Sequence, residues 1–339
     1  MRVNEQLLHQ FTLDALLTAG ADKNQATHNA DILIWCDKIG RDTQGVWRLP
    51  MIVKRLQLGL HPAKCQLQFN QVAPALSRLD GDAGLGYYVA SKAMERAIEL
   101  ASTQGVACVA VHNGSHLGAA SYYVGQAAKA NMIGLCFSNS IPKVIPPNGN
   151  KRVIGTNPLA IGCPRSSGQN LLIDMATASS AGSQITKAEH LNRELESGKV
   201  IKTDGSDSNS AADVHSGGLN SMAGGKGFAL GLMVELLSAV ITGAGISHQL
   251  RSMHNDFDGP ANNGHLMLAI AIEYLMPINE YFQRVELLIN DVQSANGRVP
   301  GELRWQHYLD SEKNGILIDM DLQQQLEQLA GELNIRYPW

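Results

Sequence analysis

Apolar residues recur along the chain in two rhythms. Leu49, Ile52, Val53 and Leu56 fall at offsets of zero, three, four and seven and stop before Gly59, the spacing of one buried helix face with a glycine after its end. Residues 4–19, with Leu8, Phe11 and Ala15 inward, end at Gly20. Residues 24–39, with Ala26, Ala30, Leu33 and Ile34 inward, end at Gly40, so both segments read as capped amphipathic helices. A fourth helix opens near Gly86 with Ala90, Ala93, Met94 and Ala97 on one face, and others are expected over 182–196, 226–242 and 277–296. The 226–242 segment is apolar nearly all round, which places it at the centre of the fold or across a subunit interface. Leu322, Leu326, Leu329 and Leu333 stripe a last helix suited to packing back on the first ones. The second rhythm is short, β-rich and bounded by turn formers. Residues 106–111, 133–137, 159–162, 171–173 and 265–272 read as strands buried in a sheet, and 75–82 as an edge strand after a linker over 62–74. The polar stretch 197–222 has almost no apolar periodicity and reads as a mobile surface loop.

Polar residues cluster where these strands should end. Between 109 and 177 the chain concentrates His, Asn, Ser, Gly and Pro, and loops on a rigid sheet can converge such groups on one small ligand. In Asn113-Gly114-Ser115-His116-Leu117-Gly118-Ala119-Ala120-Ser121-Tyr122-Tyr123, Ser115 can cap a helix that carries His116 on its first turn. A helix start favours neutral imidazole, which suits proton transfer near neutral pH. The alternative is a buried, hydrogen-bonded histidine. In Arg41-Asp42-Thr43-Gln44-Gly45-Val46-Trp47-Arg48, a loop feeding a helix can aim an arginine at a carboxylate, which a guanidinium grips through two parallel bonds. Asn139, Thr156 and Asn157 offer amide and hydroxyl groups to a carboxamide or a ribose.

The 339 residues are 44% hydrophobic with 33 Gly and a net charge of −4, enough for one large domain or two closely packed ones. No basic block interleaved with aromatics occurs, so nucleic acid is not an expected partner. No signal-peptide core and no spanning apolar run occurs either, so a cytoplasmic protein without a membrane role is expected. The five cysteines, Cys36, Cys65, Cys108, Cys136 and Cys163, are widely spaced and read as reduced core residues. The patch His254-Asn255-Asp256-Phe257-Asp258 lacks helical metal spacing, and no metal is expected. Gly84-x-Gly86 lacks the third glycine and the later acidic residue of a dinucleotide fingerprint, so a Rossmann fold is rejected.

The 113–123 motif, with Gly155-Thr156-Asn157-Pro158-Leu159-Ala160, Asp174-Met175-Ala176-Thr177 and Gly224-Gly225-Lys226-Gly227, closely resembles the type 2 malate/L-lactate dehydrogenase family, from about Asp31 to Arg304. That family includes ureidoglycolate, sulfolactate and diketogulonate oxidoreductases and ketimine-reducing piperideine-carboxylate reductases. The resemblance implies an α/β (α+β) fold with a non-Rossmann mixed sheet and flanking helices. A helical subdomain over 1–74, completed by 305–339, would accompany a cofactor-binding domain over 75–304. It also implies an enzyme that moves hydride between NAD or NADP and a small 2-oxo or 2-hydroxy acid, and a homodimer. Arg48 matches the family's substrate-binding arginine, and Ser140, Asp174, Met175, Ala176 and Lys226 fall on its cofactor contacts. Thr156 joins them by its hydroxyl, and Gly301 lies in a loop resembling the family's late cofactor-side loop.

One departure matters for catalysis. The family's Ser-His-Gly-x-x-Arg motif keeps a hydroxyl here at Thr43, but Gln44 replaces its histidine, the proton donor in some members. An amide cannot cycle a proton near pH 7. In ureidoglycolate-type members the acid/base is the histidine matching His116. Three readings stay open: His116 carries the proton while Gln44 orients substrate, catalysis is slow and water-assisted, or this is a non-catalytic paralogue. A ketimine (C=N) reductase is the other alternative, although Gly182-Ser183-Gln184 lacks the Asp of that branch.

Overall fold

The computed structural model describes the backbone of residues 1–339 and every side chain but that of Ser183. A short strand β1 (Arg2–Val3) precedes α1 (Glu5–Thr18), α2 (Lys23–Lys38) and α3 (Leu49–Gln57). The side chains of Asn4 and Asp22 accept from the first free N–H groups of α1 and α2, so both helices start where the sequence places them. Next come β2 (Gln68–Ala73), β3 (Leu76–Asp80), α4 (Gly86–Gln104), β4 (Val106–Gly114), α5 (Ser121–Lys129), β5 (Met132–Ser138), β6 (Leu159–Cys163) and β7 (Leu171–Met175). After them run α6 (Gly182–His190), the two-residue strands β8 (Val200–Ile201), β9 (Asp207–Ser208) and β10 (Gly218–Leu219), and α7 (Gly225–Glu235). The chain finishes with β11 (Asn263–Ala271), α8 (Ile278–Ser294), α9 (Glu302–Asn314), β12 (Ile316–Leu317) and α10 (Met320–Leu333).

Seven strands form one mixed sheet in the order β2-β3-β4-β11-β5-β6-β7. Only β3 and β4 run parallel, joined across α4; every other neighbouring pair is antiparallel. Such a sheet has no doubly wound switch point, which agrees with the rejected Rossmann reading. The strands alternate between two faces. Val109, Val111, Cys136, Ala160 and Met267 point into a core shared with α1 to α5 and α10, so the C-terminal helix does pack back on the N-terminal ones. Phe137, Leu159 and Leu266 point the other way, against Val234 of α7.

Three expectations are corrected. Residues 68–73, expected as linker, form β2, which takes the sheet edge and leaves β3 inside; all but its last residue is exposed, so no apolar alternation marked it. Residues 197–222, expected as a mobile loop, build a three-stranded sheet in the order β10-β8-β9 around Val144, Ile154, Ile185, Val200, Val214 and Leu219. Strands of two residues are too short to show a period. The third correction concerns α5, which starts at Ser121, so His116 lies ahead of it in an irregular turn. Gly118 at φ +76° prevents the helix from starting earlier. Among the described residues no helix is long and apolar enough to cross a membrane.

The registers align the functional ends. Gly114 of β4 sits opposite Asn263 of β11, His265 opposite Ser138 of β5, Phe137 opposite Leu159 of β6, and Leu159 opposite Met175 of β7. The 115–120 turn, the 139–145 loop, the 155–158 approach and the 176–181 exit therefore leave the sheet at one end. A cleft opens there.

Candidate active site

The cleft spans about 1120 Å³, its mouth included, and its walls bring together Gln44, Arg48, His116, Ser140, Thr156, Asp174, Met175 and Ala176. These come from residues far apart in sequence. The remaining expected site residues sit elsewhere. Thr43 is buried behind the wall, Lys226 is exposed at the start of α7, and Gly301 caps α9 at φ +93°, against the backbone of Leu172. Gly301 acts on the cleft at second hand: Arg304, one turn on, donates to the backbone oxygens of Leu172 and Asp174 and so holds β7 from its open edge.

Arg48 is 4% exposed, and its Nε donates to the Thr43 carbonyl at 2.9 Å. Nη1 lies 3.4 Å from Nε2 of His254, and among the described residues no carboxylate pairs with the guanidinium. Burial lowers its pKa, a sign that the charge is held at a cost. A buried guanidinium without a counter-charge, lining a cleft, is a ready carboxylate site.

His116 lines the same cleft and is held by a tight cradle. Gly86 passes so close that a Cβ there would lie 2.2 Å from the His116 carbonyl oxygen, and one on Gly118 would lie 2.3 Å from the Tyr87 ring. That close approach, rather than a dinucleotide turn, is what Gly86 is for. Tyr123 donates its hydroxyl to the Leu117 carbonyl, and Tyr87 donates to the Gln44 carbonyl at 2.9 Å, tying the two functional loops together. The Gly118 N–H donates to His116 Nδ1 at 3.1 Å, an arrangement that assigns the proton of the neutral ring to Nε2. Burial, and then the charge of Arg48, hold its pKa well below the ordinary histidine value. The ring is therefore neutral at pH 7, but for these reasons and not through a helix dipole. His265 is pushed down to about 4 by burial, with Nδ1 on Ser138 Oγ at 2.9 Å and Nε2 on the Ser115 carbonyl at 3.0 Å, where it fixes the start of the His116 turn.

On the other side, Asp174 is the one carboxylate lining the cleft among the described residues. Its Oδ2 accepts from the Ser121 N–H at 3.0 Å and hydroxyl at 2.7 Å, and Oδ1 has no hydrogen bond among the described residues. Met175 beside it is exposed at 41%, an apolar platform in a polar cleft. Ser140 Oγ accepts from the Thr156 N–H at 3.0 Å. Asn157 is corrected as a ligand group: it is absent from the cleft wall, and its amide donates to Glu235 and the Gly231 carbonyl and accepts from the Ser140 N–H, so it is used up in holding loops. Asn139 does line the cleft, with its amide donating to the Gly245 carbonyl and accepting from the Gly264 N–H. Sequence reading missed Arg41, Lys143, Arg251 and His254 as cleft residues. Arg41 stood in the quoted motif. His254 stood in the patch set aside as a metal site, and Lys143 and Arg251 carry no local signal.

A family model described as malate/L-lactate dehydrogenase matches residues 3–327. The L-sulfolactate dehydrogenase of Methanocaldococcus jannaschii is 31% identical over 332 residues, 96% of this chain and 95% of that protein; its solved structure matches with a TM-score of 0.90, covering 99% and 98% of the two chains. Ureidoglycolate dehydrogenase (NAD(+)) of Escherichia coli is 31% identical over 270 residues, 80% of this chain and 77% of that one. The crystal structure of delta1-piperideine-2-carboxylate reductase from Pseudomonas syringae matches with a TM-score of 0.90 at 26% identity, covering 97% of this chain and 100% of that one.

Proposed function

The chain belongs to the malate/L-lactate dehydrogenase family, and on that premise we propose that it is a dehydrogenase moving hydride between NAD or NADP and C2 of a small 2-oxo or 2-hydroxy acid in this cleft. The observation that carries the reading is a buried Arg48, without a carboxylate partner among the described residues, lining the same cleft as a neutral His116. Nicotinamide, when bound, supplies or accepts the hydride. The residues present fit such a group: Asp174 Oδ1 is available to ribose hydroxyls, Ser140 and Thr156 give hydroxyls beside the loop, and Met175 and Ala176 offer an apolar surface. Arg48 grips the carboxylate, which orients C2. His116 hydrogen-bonds the C2 oxygen through Nε2–H and passes that proton over as the oxygen becomes an alcohol; the imidazolate left beside the Arg48 charge takes a proton back from solvent, so Gln44 need only orient substrate.

A cyclic imine is the runner-up substrate, because the Pseudomonas reductase shares the fold. The test is a cofactor-oxidation screen of 2-oxo acids and cyclic imines with NADH and NADPH, on the native protein and Gln44→His. Native turnover of an oxo acid, in preference to any imine, is the expected outcome. Cofactor binding without native turnover would make this a ligand-binding paralogue, and activity appearing only in Gln44→His would remove the proton role from His116.

A homodimer is part of the same proposal. Leu232, Met233, Leu236, Val240 and Ile241 stand exposed on and after α7, outside the sheet face that α7 covers, and a contiguous apolar surface of that kind marks an interface. Light scattering on a sizing column should give twice the chain mass, and Leu236→Asp with Ile241→Asp should give one chain mass. A native monomer at micromolar concentration refutes it.

A further inference from the structure

Lys143 is a cleft residue that neither the motifs nor the proposed chemistry uses. Its backbone is fixed on two sides: its N–H donates to the Ile154 carbonyl at 2.9 Å, and its carbonyl accepts from the Leu219 N–H at 2.7 Å. The second of these supports comes from β10, inside the polar 197–222 segment. The side chain reaches across the cleft wall to α6, where a Cβ on Gly182 would lie 3.0 Å from Nζ, so the glycine leaves the ammonium its room. Among the described residues Nζ makes no hydrogen bond and no ion pair. Burial, then Arg48 and Arg152, push Lys143 down to about 8, and Lys143 in turn is among the charges that push His254 down.

The charge balance of the cleft follows from these contacts. Among the described residues neither Arg48 nor Lys143 forms an ion pair, although Glu189 attracts Lys143 from a distance, whereas Arg251 is paired with Asp256 at 3.0 Å and Asp174, across the cleft, is bonded through Oδ2 to Ser121. A substrate with one carboxylate neutralises Arg48 and leaves Lys143 as it was. A substrate with a second acid group neutralises both, and two buried cations that repel one another gain most from two anions.

We infer that Lys143 is a specificity-determining residue, pairing through Nζ with a second anionic group, carboxylate or sulfonate, at the far end of a 2-oxo or 2-hydroxy acid from the carboxylate on Arg48. The inference rests on the proposed dehydrogenase reading. It predicts selection by charge count rather than by size.

The test compares the native protein with Lys143→Met and Lys143→Arg, using oxaloacetate as the dianion and 2-oxobutanoate as a monoanion. The native enzyme should favour oxaloacetate in kcat/KM. Lys143→Met should lower kcat/KM for oxaloacetate about 100-fold, largely through KM, and change 2-oxobutanoate less than about threefold, with much of the loss restored in Lys143→Arg. Equal losses on both substrates, or no native preference, overturn the inference. Melting-temperature shifts with L-malate against 2-hydroxybutanoate read binding without turnover. A native protein that reduces neither acid sinks the dehydrogenase reading, while the malate shift, expected in native and absent in Lys143→Met, still decides the role of Lys143.

Discussion

Arg48→Met should lower kcat/KM for a 2-oxo acid by about 10³-fold, the equivalent of about 4 kcal/mol, while leaving the melting temperature unchanged or higher. Both halves come from one observation. The native guanidinium is buried, with a single backbone acceptor at Nε and, among the described residues, no carboxylate. An ion held that way costs stability, and a methionine of similar length fills the space without the charge. The substrate carboxylate then enters a cleft that has stripped its water and returns no bidentate partner. Steady-state kinetics and a thermal melt on the same preparations check the pair. A melting temperature that falls along with the activity would identify Arg48 as a pin for the Thr43 loop and not as the carboxylate site.

The second large effect concerns proton supply. His116→Ala should lower kcat by about 10²- to 10³-fold, the usual loss when one donor to a developing oxyanion is removed. His116→Gln, which keeps an N–H donor, should recover part of it. The pH dependence separates two forms of the donor. If an imidazolium were required, reduction would speed up as pH falls through the ordinary histidine value near 6.5, because the protonated fraction grows. In this fold burial and Arg48 hold the pKa well below that value, and the Gly118 N–H occupies Nδ1, so Nε2–H of the neutral ring is the donor. Reduction should therefore be level across pH 6.5. A rise centred there would show that the imidazolium does the work.

What the two loops contribute was legible in unequal measure. Arg48 was readable because a motif brought it forward, and its lack of a counter-charge was not, since that depends on every residue packed around it. His116 was readable as a candidate, and its neutrality was expected for the wrong reason. The helix that should have carried it begins five residues later, and nothing local reveals that Gly118 takes a positive φ under the Tyr87 ring. Asn139 and Asn157 looked like ligand groups by type alone. Their amides turn out to be the pins that hold the 139–145 and 155–158 loops in register.

By itself the sequence determined the elements whose information is local. Helix faces at a 3.6-residue period, capping at Asn4 and Asp22, and the buried runs of β4, β5, β6, β7 and β11 are set by neighbours within one or two turns. It also determined the kind of chemistry, through motifs that resemble one family. Only the tertiary structure decided the strand order, which makes β4, β11, β5, β6 and β7 successive neighbours, and hence which side chains share a cleft. Strand pairing across more than 100 residues, such as His265 with Ser138, is a choice among many registers that no short window contains. The same holds for charge: Arg48 acts on Lys143, and both act on His254, through space, and the distance that governs a Coulomb interaction is not written in their numbering.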